Sequence, residues 1–457
     1  IPAHAFEDGV VAKYHYIDLF SAETGFYLSE TSYVYGDKLS KDIRNKIKIS
    51  VKMKIVDIFE SGTYFFETIH NNWAAVCSCG VGLSYLYLFP ERFAAVKDRI
   101  FNCMQHYLLG IGEEGYCEEG IAYWEYGFGF FSIFFDVYTQ LTGDRPAILS
   151  SPAVLNALKY PANAYMADGV YLPFADGGRT KFDAAPEIIY AVKNLFGDAF
   201  DLIPIKHQEI YGRALMFRSL YGADKFGDFQ EKTTAESTVY YSGHEVFLRR
   251  EKKYAFTAKC GMNDEMHNHN DVGTFQIVRK GKRLIVDIGA GEYTKGYFSD
   301  PVERYGDAIF VCGSKSHSVP MIDGRAQKYG ASYKGRVLSQ SEKEIVMDIA
   351  GEYDENAQGM LVKYRTEEDR VLVSYRNLNS QSVCYRFVSE YEPKITGDGV
   401  VVEDMTIRSN NGLIATLSEK EYRTHGISDK PTATVYLIDY ETPATDEEIE
   451  FSFSFAE

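Results

Sequence analysis

The chain has 457 residues, which fits two or three domains at roughly 100–200 residues per domain. Its hydrophobic content of 45% and its charged content of 25% are typical of a globular protein with a substantial core. The net charge of −17 argues against nucleic acid as a partner, because phosphate-binding surfaces are usually basic. It argues less firmly against an acidic polysaccharide, since Arg, His and Lys clustered in a cleft can outweigh the overall balance.

No apolar run approaches the ~20 residues that a membrane-spanning helix needs, so no membrane association is predicted. Residues 1–4 show no signal-peptide pattern. The seven cysteines have no framework spacing, which favours reduced thiols, and Cys77 and Cys79 are too close for a usual zinc or redox pair and are interpreted as helix packing. These features slightly favour a cytoplasmic location. They leave a periplasmic or secreted location open, because the chain lacks an initiator Met and we expect its true N-terminus further upstream.

Residues from about 17 to 220 show apolar side chains at three- and four-residue spacing, which is typical of amphipathic helices. Helices are predicted at 17–35, 40–59, 72–89, 91–109, 121–141, 152–166 and 186–196. A stretch rich in Gly, Asp and Pro, 167–180, separates the last two. Successive helices with short loops predict antiparallel helical hairpins, arranged as a bundle, a solenoid or a curved toroid.

Near residue 225 the pattern changes to an alternation of polar and apolar residues, which is typical of β-strands. Strands are predicted at 238–241, 245–249, 254–258, 274–278, 344–349, 361–364, 370–375, 383–388, 413–417, 432–440 and 449–455. Many short strands at regular spacing predict a large antiparallel sandwich. We therefore expect an α+β protein with a helical domain over residues 1–222 and a β-sandwich domain over residues 223–457.

Two imidazoles lie two residues apart, at His267 and His269, just before a predicted strand. In an extended segment, positions i and i+2 face the same way, so both side chains can point into one site. His269, Asp287 and His317 form a nitrogen and oxygen ligand set that suits zinc, with water as a fourth ligand. A polar turn satisfied by backbone groups is the alternative interpretation of the His-x-His pair.

Two segments in the helical half suggest a second site. Asn71 and Asn72 precede an apolar periodic run, where an Asn is most often a helix N-cap. The other segment, 115–127, contains Glu118, Glu119 and Tyr126. Both of the chain's tryptophans lie in or beside these segments, but neither segment alone defines a site.

Taken together, three stretches resemble the heparinase II/III-like polysaccharide lyases. They are Asn71-Asn72-Trp73 with Cys77, then Glu119-Gly120 with Tyr123-Trp124 and Tyr126-Gly127, and above all 267–271 with Val286-Asp287, Arg304-Tyr305, Ser316-His317 and Asp323-Gly324. The resemblance covers most of residues 15–330 at motif level. It implies an α/α toroid joined to an antiparallel β-sandwich, with the active cleft between them and a zinc ion that supports structure near the site. The family's toroid is usually longer than the ~200 residues available here, so we expect either a chain that begins partway through the toroid or an open toroid.

The resemblance also implies a reaction, β-elimination across a uronic acid in an acidic poly- or oligosaccharide. In this scheme Asn72 stabilises the charge that develops at the sugar carboxylate, helped by Asn71 or His70. Tyr126 matches the family's catalytic tyrosine, and His267 is its partner base or acid. His269, Asp287 and His317 then hold zinc. Under this scheme zinc fixes the segment that carries His267 and does not activate water.

The division of roles between Tyr126 and His267 stays open at the sequence level. A tyrosine with its ordinary pKa of ~10 is seldom ionised at neutral pH. Tyr126 therefore needs cationic or hydrogen-bonding neighbours that lower its pKa, or it serves as the acid while His267 abstracts the proton. If the helix phase differs by one turn, Tyr123 takes the catalytic role in place of Tyr126. Arg304 is expected to grip a substrate carboxylate or sulfate, or else to form a solvated salt bridge.

Two other functions fit the sequence. A glycoside hydrolase on a similar toroid needs two carboxylates that flank the scissile bond, and Glu118, Glu119, Glu125 and Asp176 are available. A non-catalytic carbohydrate-binding protein would keep the fold without the chemistry.

Overall fold

A computed structural model describes residues 16–177, 185–197, 235–306, 308–425 and 432–456. The chain divides into two compact units, and the described part of the helical unit comprises residues 16–117, 121–162 and 185–197. The β unit comprises 118–120, 163–177 and the described residues from 235 onwards. The boundary expected between residues 222 and 223 lies outside the described residues, so it stays a prediction. The segments 118–120 and 163–177, from the predicted helical half, belong to the β unit.

The described helices up to residue 197 largely follow the predicted ones. They are α1 Leu19–Tyr35, α2 Lys41–Val51, α3 Asp57–Ser61, α4 Asn72–Leu88, α5 Pro90–Phe93, α6 Lys97–Ile111, α7 Ile121–Thr142, α8 Pro152–Ala157, α9 Tyr160–Ala164 and α10 Pro186–Phe196. A π-helical turn, Lys52–Val56, joins α2 to α3. The prediction of one helix over 91–109 is wrong because residues 94–96 form a turn between α5 and α6. The helix predicted over 152–166 is also divided, and its last residues form a strand.

Helices α1, α2 and α4 start at side-chain caps, and α1, α6 and α7 pack around α4. Asp18 caps α1, because its carboxylate accepts from Ser21 N at 2.7 Å while Ser21 Oγ accepts from Asp18 N at 2.9 Å. Helix α4 is buried over most of its length and packs against α1, α6 and α7. A helix that is apolar on all sides is expected at the centre of a helical assembly.

The β unit is built from antiparallel sheets. The five-stranded sheet contains, in spatial order, β3 Ser237–Tyr241, β4 Val246–Arg250, β5 Ala255–Lys259, β7 Phe275–Arg279 and β8 Lys282–Ile285. The eight-stranded sheet contains β11 Arg336–Gln340, β12 Glu344–Asp348, β13 Met360–Thr366, β14 Arg370–Asn377, β21 Ile449–Phe455, β18 Met405–Ser409, β17 Gly399–Val402 and β16 Lys394–Thr396. The four-stranded sheet contains β19 Ala415–Arg423, β20 Thr432–Thr442, β15 Val383–Ser389 and β9 Pro320–Ile322.

Smaller elements complete the β unit. The strand pairs are β1 Tyr165–Ala167 with β2 Val170–Tyr171, and β6 Met262–Asn263 with β10 Gly330–Lys334. Two short helices, α11 Lys295–Ser299 and α12 Pro301–Tyr305, follow β8.

Aromatic side chains fill the space between the sheets of the β unit. The Phe275 ring on β7 lies 5.4 Å from Tyr364 on β13, 5.8 Å from Phe387 on β15 and 5.4 Å from Phe453 on β21. These contacts place one core between the eight-stranded sheet and the other two large sheets. The predicted sandwich and the predicted order of a helical half followed by an antiparallel half are therefore confirmed.

None of the helices in the described ranges combines the length and the apolar character needed to cross a bilayer.

Candidate active site and metal site

The segment that carries His267 and His269 is a loop between β6 and β7. The expected extended backbone is wrong here, because residues 266 and 267 form a turn and His267 has a φ of +54°. That left-handed conformation is uncommon for a residue other than glycine. Both imidazoles nevertheless reach one side chain, the carboxylate of Asp176. The two imidazoles therefore point to one place, because the turn at His267 lets both of them bond to Asp176.

Asp176 is a fully buried carboxylate whose two oxygens accept from four groups. Its Oδ1 accepts from His269 Nε2 at 3.0 Å and from the Tyr297 hydroxyl. Its Oδ2 accepts from His267 Nδ1 and from the Tyr293 hydroxyl, the latter at 2.9 Å. A carboxylate offers about four acceptor positions, so this set uses its full capacity.

His267 also faces a second carboxylate. Its Nε2 lies 3.1 Å from Glu119 Oε1, an ion-pair contact. Burial by itself lowers the pKa of His267, but Asp176 and then Glu119 favour the charged ring and raise that pKa to about 9.

Two glycines bring Glu119 and Asp176 to the same ring. A Cβ on Gly120 would lie 3.0 Å from the Cα of Gly177, and a Cβ on Gly177 would lie 2.8 Å from the Glu119 carbonyl oxygen. Gly120 also has a φ of +88°, which other residues rarely adopt. The backbones that carry the two carboxylates can approach this closely only because neither glycine has a side chain.

Buried ion pairs fix the base of the loop. Lys259 Nζ on β5 lies 2.7 Å from Glu265 Oε2 and 3.0 Å from Asp271 Oδ1. The ammonium group and both carboxylates are almost completely buried. The Asp of the His-x-His-x-Asp motif thus has a structural partner in Lys259.

Two further side chains hold the outer part of the loop. Glu118 Oε2 accepts from Met266 N at 3.2 Å, and its Oε1 lies 3.2 Å from His244 Nε2. Arg304 donates to the carbonyl oxygen of Asn268 at 3.0 Å and lies over the Tyr297 ring. Arg304 is thus part of the loop's support. Its expected grip on a substrate carboxylate or sulfate stays a prediction.

The predicted zinc ligands lie together in the β unit. His269, Asp287 and His317 each offer a ligand atom, and these atoms lie within 4.8 Å of one another. Three fully buried atoms, His269 Nδ1, Asp287 Oδ2 and His317 Nδ1, have no hydrogen-bond partner among the described residues. His317 Nδ1 lies 3.4 Å from Asp287 Oδ2.

The other polar atom of each ligand is already engaged. His269 Nε2 donates to Asp176, His317 Nε2 lies 3.1 Å from the Val311 carbonyl oxygen, and Asp287 Oδ1 accepts from Gly289 N at 2.9 Å. With their protons on Nε2, both imidazoles direct a lone pair on Nδ1 away from these partners. Metal-binding histidines are commonly oriented in this way. The three residues therefore form a possible metal-binding group, and zinc as its ion stays a prediction.

The helical unit holds the remaining predicted site residues. Asn71 is the N-cap of α4, and its side chain accepts from Trp73 N at 3.1 Å. Asn72 is the first residue of that helix and is 5% exposed. His70 Nε2 lies 3.2 Å from His106 Nδ1 on α6. The N-cap interpretation thus holds for Asn71, while the expected roles of both asparagines toward a substrate stay predictions.

Tyr126 on α7 donates its hydroxyl hydrogen to Glu23 on α1, and Tyr27 donates to the other oxygen of Glu23 at 3.1 Å. Burial raises the pKa of Tyr126 well above its ordinary value, and the negative charge of Glu23 raises it further. Sequence reasoning missed Glu23. The available signal was an acidic residue on the apolar face of the helix predicted over 17–35.

The site residues thus fall into two groups. Asn71, Asn72 and Tyr126 lie in the helical unit, whereas His267, Arg304 and the three metal-ligand candidates lie in the β unit. Sequence reasoning considered Asp176 only as a hydrolase carboxylate and missed its contacts with both histidines.

The sequence matches no protein-family model and no curated protein. The structure is similar to a crystal structure of heparinase III, with a TM-score of 0.67, 15% identity, and coverage of 99% of this chain and 72% of that one. A second heparinase III, with methylated lysines, gives 0.62 at 12% identity, covering 95% of this chain and 66% of that one.

A chondroitin AC lyase from Streptomyces coelicolor A3, in complex with chondroitin sulphate, gives a TM-score of 0.54 at 10% identity and covers 97% of this chain and 69% of that one. Similarity at these identities establishes the fold, a helical region followed by an antiparallel sheet region. It confirms the fold class expected from the heparinase II/III-like motifs.

Proposed function

We propose that the chain is a polysaccharide lyase that cleaves an acidic poly- or oligosaccharide by β-elimination beside a uronic acid. The observation that carries the proposal is His267, whose Nδ1 is bonded to the buried carboxylate of Asp176. It occurs in a chain that shares its fold with heparinase III and with a lyase whose structure holds chondroitin sulphate.

The reaction breaks two bonds and forms one double bond. A base removes the proton on carbon 5 of the uronate, and that electron pair becomes the second bond between carbons 4 and 5. The bond from carbon 4 to the glycosidic oxygen breaks, and this oxygen takes a proton from an acid. The carbon 5 proton is only weakly acidic, because the adjacent carboxylate resists further negative charge. In the proposal the Asn72 amide stabilises that developing charge.

His267 is the proposed base in its neutral form, which its raised pKa makes predominant only above about pH 9. When its Nδ1 proton is donated to Asp176, Nε2 is the nitrogen left to accept a proton. A carboxylate at Nδ1 stabilises the imidazolium that forms, as in other acid-base dyads. Glu119, 3.1 Å from Nε2, adds to that stabilisation.

Tyr126 is the proposed acid. Its environment supports this assignment because the contact with Glu23 and the burial of the phenol both favour the protonated form. A tyrosine acting as base needs the opposite environment, with cationic neighbours that stabilise the phenolate. In the proposed mechanism Tyr126 is therefore the acid and His267 is the base.

Zinc bound by His269, Asp287 and His317 would hold the loop that carries His267 in place. In the proposal, Tyr126 and His267 perform the proton transfers and Asn72 stabilises the developing charge, all without the metal.

The hydrolase alternative needs two carboxylates that are free to act on a glycosidic bond. Asp176 has its acceptor capacity filled by two imidazoles and two phenols. Glu118 holds Met266 N, and Glu125 accepts from Ala185 N. These contacts favour the lyase over the hydrolase.

The test is a panel of heparan sulfate, chondroitin, hyaluronan, alginate and ulvan-like polysaccharides, followed by ultraviolet absorbance. A lyase produces the absorbing unsaturated uronate on at least one of them. Reducing ends that appear without this absorbance would indicate a hydrolase. Binding without either product would indicate a carbohydrate-binding protein and would overturn the proposal.

A further inference from the structure

One carboxylate joins the candidate metal site to the proposed base. His269 and His267 both bond to Asp176, and they use different oxygens of it, Oδ1 and Oδ2. The side chains of Asp176 and His269 are fully buried, and that of His267 is 18% exposed. A rotation of the carboxylate would therefore disturb both imidazoles at once.

On the metal side, Asp176 selects the nitrogen that His269 can offer. Because Asp176 Oδ1 accepts from His269 Nε2, the proton lies on Nε2 and the lone pair lies on Nδ1. That Nδ1 is buried and has no hydrogen-bond partner within the described ranges. A carboxylate that orients a histidine in this way also makes it a better metal ligand.

On the other side, Asp176 selects the nitrogen that His267 can use as a base. Its Oδ2 accepts from His267 Nδ1, and Nε2 then faces Glu119. The Tyr293 hydroxyl, at 2.9 Å, holds the same Oδ2, and the Tyr297 hydroxyl holds Oδ1. Each oxygen therefore has one imidazole and one phenol, which leaves the carboxylate a single orientation that satisfies all four donors.

We infer that Asp176 is a positioning residue that couples metal binding to the orientation of His267. Metal at His269 Nδ1 fixes the His269 ring, this ring fixes the Asp176 carboxylate, and the carboxylate fixes the tautomer of His267. Because coupling between two sites is reciprocal, changes at His267 alter the metal affinity even though His267 is not among the proposed ligands. The inference rests on the proposed function only in taking His267 as the base.

The first test measures zinc affinity by competition with a chromophoric chelator. Asp176→Asn keeps the shape of the side chain but loses one acceptor and the charge, and we expect zinc binding about 10- to 100-fold weaker. The matched control is Asp168→Asn, since Asp168 is an exposed carboxylate in the same segment that accepts from Gly281 N. We expect the control to bind zinc like the wild type.

The second test reads the His267 tautomer from nitrogen-15 NMR of the imidazoles above about pH 9, where the ring is neutral, with zinc and with zinc removed. We expect a proton fixed on Nδ1 in the zinc-loaded wild type, and exchange between tautomers in Asp176→Asn and in the zinc-free protein. If Asp176→Asn does not fold, His267→Ala serves instead, with zinc binding expected to weaken several-fold. Unchanged zinc affinity in the folded variant would overturn the inference. So would a His267 tautomer that stays the same when zinc is removed and in Asp176→Asn.

Neither readout needs turnover, so the two proposals can fail separately. Absence of any unsaturated product with the expected zinc and NMR results would remove the lyase assignment alone. Lyase activity together with unchanged zinc affinity in Asp176→Asn would remove the coupling alone.

Discussion

His317 Nδ1 lies 3.4 Å from Asp287 Oδ2, and neither of these buried atoms has a hydrogen-bond partner in the part of the chain that the structure describes. Unpaired polar atoms are destabilising in a protein interior, so such a pair needs a third partner. A metal ion held by these two residues and His269 would remove this penalty. The same arrangement leads to the first prediction.

The first prediction concerns metal content. The purified wild type should retain one zinc per chain after dialysis, and His317→Ala should lose most of it, because three protein ligands are reduced to two. Elemental analysis measures the stoichiometry. The melting temperature of the wild type should fall when a strong chelator is added, since a ligand that binds only the folded state stabilises it. His425→Ala, at an exposed histidine of the same unit, is the control. Equal zinc content in His317→Ala and the control would contradict the assignment.

The second prediction concerns the acid. Tyr126→Phe removes the hydroxyl that the proposed mechanism uses to protonate the leaving oxygen, so kcat should fall about 10²- to 10⁴-fold while substrate binding is retained. Tyr123→Phe, one helical turn away on α7, is the matched control and should stay near the wild-type rate. If Tyr126→Phe turns over at full rate, Tyr126 has no part in the mechanism. Loss of activity in the control instead would transfer the role to Tyr123.

The third prediction concerns the buried ion pairs under the loop. Lys259→Met leaves Glu265 and Asp271 without their buried cation. The free energy of unfolding should fall by about 3–5 kcal/mol, which is typical when one partner of a buried pair is removed. Lys280→Met, which breaks an exposed pair with Asp404, should change it by less than about 1 kcal/mol. Chemical denaturation of both variants provides the comparison, and equal losses would contradict the structural role of Lys259.

The fourth prediction concerns pH. Burial raises the pKa of Glu352 to about 9, with Lys259 opposing the shift and Asp271 and Glu265 adding to it. In the unfolded chain a glutamate has a pKa of about 4.3. Between these values the folded state binds a proton that the unfolded state releases, so stability falls as the pH rises from about 5 to about 9.

Glu352→Gln should remove that part of the pH dependence. Its melting temperature should exceed that of the wild type near pH ~8.5 and approach it near pH ~5, since only the ionised carboxylate opposes folding. The exposed Glu355→Gln is the control and should follow the wild type at both values. A wild type that is equally stable across this range would show that Glu352 is ionised in the folded protein.

The sequence was sufficient for the features that local patterns encode. Helix periodicity located α1, α4 and α7 to within a few residues, and alternation located most strands of the sandwich. Spacing and resemblance together identified His269, Asp287 and His317, which the fold brings within ligand distance. These features follow from side-chain periodicity and from residue types that suit one chemistry.

The sequence was not sufficient for features that depend on contacts distant in the chain. Asp176 reaches His267 and His269 from a segment near β2, a contact that no local pattern encodes. The turn at His267 replaced the expected extended backbone, because Glu118, Arg304 and Lys259 hold the loop from other elements. The contact between Glu23 and Tyr126 joins α1 to α7, and no local pattern in the sequence predicts it.

The most direct test of the lyase assignment is mass spectrometry of products formed in water enriched in heavy oxygen. β-Elimination adds no water, so we predict one fragment with an unsaturated uronate end and no heavy oxygen in either fragment. Products that each have a saturated end, with heavy oxygen at the new reducing end, would show hydrolysis and contradict the account.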